Sequence, residues 1–159
     1  PLIFNRLKNN LILLKKKNKF IQNKAFLVNV AVGDKKKVGY INTKINHENV
    51  KVLNKNKFSS RKNYKKIKIT KMKTLIERYK VKRIYCIKID TEGNEFIILK
   101  SFFKDFKYTF YPKILIIEHN NDPNYSKIDK LITNKGYKVS FTTNSNAIYI
   151  IKNENSQNL

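Results

Sequence analysis

Several residue types that carry well-known chemistry are scarce in this 159-residue sequence. The single cysteine, Cys86, excludes an internal disulfide, and its place within an apolar stretch predicts a small buried side chain. The glycines, Gly33, Gly39, Gly93 and Gly136, stand too far apart for a glycine-rich phosphate loop. One cysteine and two distant histidines also exclude a typical zinc site, so the sequence predicts no metal ligand set.

Long apolar runs are absent as well. No run approaches the roughly 20 residues that span a bilayer, and the apolar stretch at 11–14 is too short and wrongly flanked for a signal peptide. A cytoplasmic protein is therefore the default expectation. The chain opens on Pro1 without an initiator methionine, which favours a fragment or a processed product and leaves an upstream signal open.

Acidic residues are few beside basic ones, 11 against 35, and the net charge is +24. Such a charge suits a polyanionic partner. However, 31 of the basic residues are lysine and only four are arginine, whereas phosphate and base recognition favour arginine. Lysine, asparagine, isoleucine, tyrosine and phenylalanine all have AT-rich codons, so compositional drift explains the whole pattern. Nucleic acid is therefore not an expected partner.

Hydrophobic periodicity predicts alternating helices and strands, and hence an α/β fold with a mostly parallel sheet and right-handed crossovers. The predicted elements are a helix at 2–14, a strand at 25–32 buried on both faces, short strands at 38–43 and 66–72, a helix at 74–79 capped by Thr74, a strand at 83–89, a helix at 94–103, a strand at 114–117, a helix at 126–135 and an antiparallel hairpin of 137–142 and 147–151. One domain is expected over 1–152, followed by a polar tail at 153–159.

Four of the scarce acidic residues follow two of the predicted buried strands. Asp90, Glu92 and Glu95 come after the first, and Glu118 ends the second with His119 beside it. Open α/β sheets bind ligands at the carboxyl ends of their strands. This edge is therefore the candidate functional site.

Each of these residues also has a structural alternative. Asp90, Thr91 or Asn94 would cap the following helix, and the nearby glutamates would favour its dipole. The glutamate–histidine pair would then be solvated loop residues. Lys88 interrupts the apolar part of its predicted strand. Either it forms an ion pair with a nearby carboxylate, which is the favoured interpretation, or its stem is buried with the charged end at the surface.

The sequence Lys-Ile-Asp-Thr-Glu-Gly-Asn-Glu at 88–95, followed by Ile-Leu-Lys at 98–100, strongly resembles the signature of the FkbM family of methyltransferases. The strand at 112–118 and the segment Asn-Val-Ala-Val-Gly-Asp at 29–34 are similar to further family segments. At one family position Ile76 replaces an aspartate. The resemblance spans nearly the whole chain.

This resemblance implies a Rossmann-like class I methyltransferase fold and S-adenosylmethionine as cofactor. It implies O-methyl transfer to a hydroxyl of a small molecule or glycan, with cofactor contacts from Asn29, Ala31, Val32 and Asp90. In the family, a first strand, a glycine-rich cofactor loop and a ribose-binding acidic residue precede the helix found here at 2–14. The expectation is an N-terminally truncated domain that is inactive alone.

Methyl transfer to a hydroxyl also needs a proton acceptor within hydrogen-bond reach. Asp90 or Glu92 is the first choice for that role, and Glu118 or His119 the second. Two other hypotheses stay open: a basic RNA-binding protein or RNA methyltransferase on the same fold, and an inactive truncated remnant. The sequence does not determine the acceptor, the oligomeric state or a metal dependence.

Overall fold

The structure is a computed structural model that describes residues 2–17, 25–42, 52–53, 63–119 and 125–152. The predicted tail at 153–159 lies outside these ranges. The chain divides into two compact units, Pro1–Val30 and Ala31–Leu159, which are described separately. The expectation of a single domain over 1–152 stays a prediction. Within the described ranges, no helix is long and apolar enough to cross a membrane.

The first unit contains one described helix, α1, at Leu2–Lys17. It extends three residues beyond the predicted end because lysines 15–17 continue it, where cations favour a helix C-terminus. Residues 25–30 form no strand, and Phe26 is 73% exposed. The predicted strand at 25–32, buried on both faces, is therefore wrong over most of its length, because only its last residues meet a partner strand.

The second unit contains most of the described structure. Its elements are β1 Ala31–Gly33, β2 Lys37–Asn42, β3 Val52–Leu53, β4 Tyr64–Lys71, α2 Met72–Arg78, β5 Cys86–Ile89, α3 Glu95–Asp105, a 3-10 helix Tyr108–Phe110, β6 Ile114–Glu118, α4 Tyr125–Thr133, β7 Tyr137–Thr142 and β8 Asn146–Ile151. Every helix and strand predicted from residue 38 onward is present, the strand at 137–142 with the predicted bounds and the others with shifted ends. The predicted cap Thr74 is wrong, since α2 begins earlier and Lys71 occupies its N-cap.

The described strands form two four-stranded sheets of mixed direction, with orders β1-β4-β2-β3 and β5-β6-β8-β7. Among the strands that the structure describes, only β1–β4 and β5–β6 are parallel pairs. The prediction of a mostly parallel sheet is therefore wrong, because the insertion between β1 and β5 pairs antiparallel with itself. The predicted C-terminal hairpin of β7 and β8 is confirmed.

The hydrophobic core of this unit joins the second sheet to the helices. α3 buries Ile98, Leu99, Phe102 and Phe103, whose spacing puts them on one helical face. The core also contains buried residues from the other helices and from the second sheet: Ile76, Ile89, Leu115, Ile117, Ile128, Ile132, Tyr137, Ala147 and Tyr149. This packing positions the carboxyl ends of β5 and β6.

Side chains alternate along β5, and this corrects the prediction for Cys86. Ile87 and Ile89 are partly or fully buried, whereas Cys86 and Lys88 are exposed. Because successive side chains of a strand point to opposite faces, the burial of Ile87 and Ile89 places Cys86 on the exposed face. Cys86 is therefore an exposed thiol and not a buried core residue.

Candidate active site

Three acidic side chains meet beyond the carboxyl ends of β5 and β6. The two strands are parallel with Ile89 opposite Ile117, so Asp90 and Glu118, which come next, are neighbours. Glu92 lies in the turn that leads into α3. One carboxylate oxygen from each of the three lies within 4.8 Å of the others. The structure thus brings together three of the residues selected from the sequence.

Lys88 pairs with the first of these carboxylates, as the sequence predicted. Its Nζ lies 2.9 Å from Oδ2 of Asp90. The hydrogen bond from Lys88 holds the pKa of Asp90 below its ordinary value, and the same bond raises the pKa of Lys88. Asp90 is therefore ionised at neutral pH.

Glu118 differs from Asp90 in its protonation. Burial raises the pKa of Glu118 from its ordinary 4.5 to about 7, and hydrogen bonding to Asp90 and the negative charges of Asp90 and Glu92 act in the same direction. Two neighbouring carboxylates resist double ionisation because their charges repel. Near neutral pH, Glu118 is therefore the member of the pair that gains and loses a proton, whereas Asp90 stays ionised.

Glu95 has a structural role in the turn that carries Glu92. It is 2% exposed. Its Oε1 accepts hydrogen bonds from the backbone N–H of Thr91 at 2.6 Å and the Thr91 hydroxyl at 2.9 Å, and its Oε2 accepts one from the Gly93 N–H at 2.9 Å. Asn94 stands at the N-cap of α3 but makes no side-chain capping bond. The N-terminal turn is thus held by Glu95.

The backbone of this turn adopts a left-handed conformation at two successive residues. Glu92 has φ of 55° and Gly93 has φ of 98°. Left-handed backbone is disfavoured for a residue with a side chain, which explains a glycine at the second position. The hydrogen bonds to Glu95 hold this strained turn and so direct Glu92 towards the other acids.

His119 is held by the hairpin and by α4. Its Nε2 lies 3.1 Å from the carbonyl oxygen of Thr143, and its backbone N–H donates a hydrogen bond to Ser145 O at 2.8 Å. Its ring packs against that of Tyr125, with the two ring centroids 4.7 Å apart. A carbonyl only accepts, so Nε2 carries the proton and donates it. Only Nδ1 is then available as a proton acceptor. Sequence reasoning did not select Tyr125, whose contact depends on tertiary structure alone.

The residues predicted to bind cofactor belong to different units of the chain. Ala31 and Val32 are half-buried in β1, and Val32 packs against the core that contains Ile89. Asn29 is exposed and belongs to the first unit. The cofactor roles of Asn29, Ala31, Val32 and Asp90 stay predictions.

The carboxylate cluster has two chemical capabilities. It can accept a proton from a bound ligand near neutral pH through Glu118. It also offers three oxygens of the type that Mg²⁺ and Ca²⁺ prefer. The sequence predicts no metal ligand set and leaves a metal dependence undetermined.

The model of the family described as the methyltransferase FkbM domain matches residues 2–139. The chain belongs to the FkbM methyltransferase family. No curated protein and no solved structure gives a significant match. The match confirms the resemblance carried by the signature at 88–95, and in this FkbM-family chain that signature supplies Asp90, Glu92 and the structural Glu95.

The raised pKa of Glu118 makes the stability of this FkbM-family chain depend on pH. The folded protein holds the proton more tightly than the unfolded chain, so stability falls as pH rises from 4.5 to about 7. Glu118→Gln removes this loss. We expect the variant to gain about 1–2 kcal/mol over the wild type between pH 5 and pH 8, after discounting for partial exposure. Urea denaturation at several pH values measures the difference.

The matched control for this experiment is Glu77→Gln. Glu77 is a surface carboxylate on α2, 3.8 Å from Lys73 one helical turn away. Its replacement should change stability by less than about 0.5 kcal/mol at every pH tested. The pKa of Asp90 is lowered, so the contribution of Asp90 to the pH dependence of stability falls below this pH window. Parallel pH curves for wild type and Glu118→Gln would contradict the assignment.

Proposed function

We propose that this FkbM-family chain is an S-adenosylmethionine-dependent O-methyltransferase with a Rossmann-like fold, acting on a hydroxyl of a small molecule or glycan. Family membership supports methyl transfer. The observation that carries the proposal is Glu118, whose pKa is raised to about 7 beside an ionised Asp90. A carboxylate of that pKa at the carboxyl end of a parallel strand suits proton removal from a hydroxyl.

The charge of the site supports this cofactor. S-adenosylmethionine supplies an electrophilic methyl group on a positively charged sulfur. The chain has net charge +24, yet three carboxylates converge here, so the site offers a cationic ligand a favourable local potential. Ala31 and Val32 would supply apolar contacts and Asp90 a hydrogen-bond acceptor, with Asn29 added by resemblance.

The pKa values favour Glu118 over Asp90 as the base. Asp90 is ionised but stabilised by Lys88, so its carboxylate is a weak base. Glu118 gains and loses its proton near neutral pH, which is where a general base works best. This order reverses the preference drawn from the sequence, which placed Asp90 or Glu92 first.

The residues then divide the reaction between them. S-adenosylmethionine, when bound, would supply the methyl group that its sulfonium releases to the acceptor oxygen, and Glu118 would take the proton that this oxygen loses. Asp90 keeps its negative charge and, with Glu92, favours a cationic ligand in the site. Positioning of the acceptor in line with the methyl group supplies much of the rate.

Binding and transfer assays test the proposal. The truncated domain expected from the sequence would bind cofactor poorly, whereas the proposed function predicts that calorimetric titration of the 159-residue chain shows binding of both S-adenosylmethionine and S-adenosylhomocysteine. Tritiated methyl groups should then appear in ether products when methyl glycosides and simple phenols are offered as acceptors. If neither compound binds, the result would support the inactive truncated remnant instead. If label is found only in added RNA, the result would favour an RNA methyltransferase over an enzyme that acts on a small molecule or glycan.

A further inference from the structure

A basic cleft lies at the other end of the second sheet. It has a volume of about 490 Å³, which falls within the usual range for small-molecule sites. Four cationic residues line it: Lys82, Arg83, Lys113 and Lys152. No acidic residue lines it within the described part of the chain.

Sheet topology brings these cations together. Lys82 and Arg83 precede β5, and Lys113 directly precedes β6. Lys152 follows β8, which runs antiparallel to β6, and the backbone N–H of Ile151 donates to Lys113 O at 3.1 Å. The cleft therefore lies at the start of β6, whereas Glu118 lies at its end. Five residues of strand span roughly 16 Å, so salt largely screens one site from the other.

The described contacts leave the four charges available to a ligand. None of them has a carboxylate within 4.0 Å among the residues that the structure describes. The Nζ of Lys113 lies over the ring of Tyr85, 5.8 Å from its centroid. Arg83 is one of only four arginines in the chain, and its planar guanidinium suits a phosphate group.

Aromatic and apolar side chains complete the cleft. Tyr108 and Phe110 line it together with Ile84 and Ile151. The hydroxyl of Tyr108 donates to Lys152 O at 3.0 Å, which positions its ring, and 39% of Tyr108 is exposed. An exposed aromatic ring beside several cations suits a ligand that joins a flat ring to a phosphate.

We infer that this cleft binds a phosphorylated small molecule of the nucleotide class, with the phosphate on Arg83, Lys113 and Lys152 and the ring on Tyr108. This site is separate from the proposed methyl-transfer site, and its occupation does not depend on that reaction. The high lysine content of the chain makes weak anion binding possible over the whole surface. The experiment must therefore separate the cleft from net charge.

Titration of the 159-residue chain with uridine monophosphate tests this inference, because uracil avoids confusion with an adenosine cofactor. Uridine monophosphate should bind more tightly than either uridine or inorganic phosphate. Lys113→Glu/Lys152→Glu should weaken its binding at least about tenfold. Tyr108→Ala should weaken the binding of uridine monophosphate and leave that of inorganic phosphate unchanged.

The matched control is Lys66→Glu/Lys68→Glu, which changes net charge equally at two exposed positions of β4. It should leave binding within about twofold of wild type, since neither lysine lines the cleft and salt screens exposed charges. If the charge-reversed cleft variant fails to fold, Lys113→Gln/Lys152→Gln provides the same test with a smaller loss. Equal weakening by the control, or equal affinity for uridine monophosphate and inorganic phosphate, would overturn the inference.

Discussion

Glu118→Gln is expected to lower kcat for methyl transfer by about 10²- to 10⁴-fold, the range associated with loss of a general base. Glutamine keeps the size and hydrogen-bonding capacity of the side chain but accepts no proton. The wild-type kcat/KM should rise with pH through about 7, as Glu118 loses its proton. The variant should lack this rise. Initial rates with tritiated S-adenosylmethionine between pH 5 and pH 9 measure both effects.

A second variant separates Glu118 from its neighbour. Hydrogen bonding and the charge of Asp90 both raise the pKa of Glu118, so Asp90→Asn should move the inflection of the pH profile to lower pH. Burial, the largest cause, keeps the pKa of Glu118 above its ordinary value. An unchanged inflection in Asp90→Asn, together with full activity in Glu118→Gln, would exclude this carboxylate pair as the source of the base. Glu77→Gln is the activity control, because it removes an exposed carboxylate on α2.

Glu118→Gln is expected both to stabilise the protein above pH 7 and to inactivate it. A partly buried carboxylate beside other negative charges destabilises the fold when it ionises. Such a residue persists most readily where the reaction needs it, because function and stability often oppose each other at active sites. Opposite effects of Glu118→Gln on stability and on kcat would therefore support a catalytic role more strongly than either effect alone.

The sequence predicted those parts of the fold in which local pattern and tertiary packing agree. α3 has apolar residues at helical spacing, and they form the buried face of the helix. The run at 25–32 is equally apolar, but Phe26 is 73% exposed and only Ala31–Gly33 pairs with another strand. A strand needs a hydrogen-bonding partner, and an apolar run alone does not identify one. The phase of β5, which exposes Cys86, likewise depends on its register against β6.

The candidate site follows the same division. Proximity of Asp90 and Glu118 was predictable, because each follows a buried strand and parallel strands place such residues at one edge. Their different protonation was not predictable, since it depends on the bond from Lys88 and on how deeply each carboxylate is buried. The role of Glu95 also required coordinates, because a sequence pattern does not separate a buried acceptor from an exposed helix-terminal charge.

The turn between β5 and α3 provides the second large effect. Glu95→Ala removes the acceptor for two backbone N–H groups and the Thr91 hydroxyl. We expect a loss of about 2–3 kcal/mol in the free energy of unfolding, since hydrogen bonds to a charged partner are stronger than neutral ones. Urea denaturation at pH 7 measures the loss. Glu77→Ala on the surface of α2 should change stability by less than about 0.5 kcal/mol.

Glu95→Gln tests the geometry of the same turn. Its amide oxygen can still accept from Thr91, but its amide nitrogen then faces the N–H of Gly93, and two donors cannot bond. We expect a loss of about 1 kcal/mol, between the wild type and Glu95→Ala. Because the turn holds Glu92 at φ of 55° near Asp90 and Glu118, both variants should also lower kcat while Glu118 still sets the pH inflection. Stability within about 0.5 kcal/mol of wild type in Glu95→Ala would show that the turn holds its conformation without Glu95.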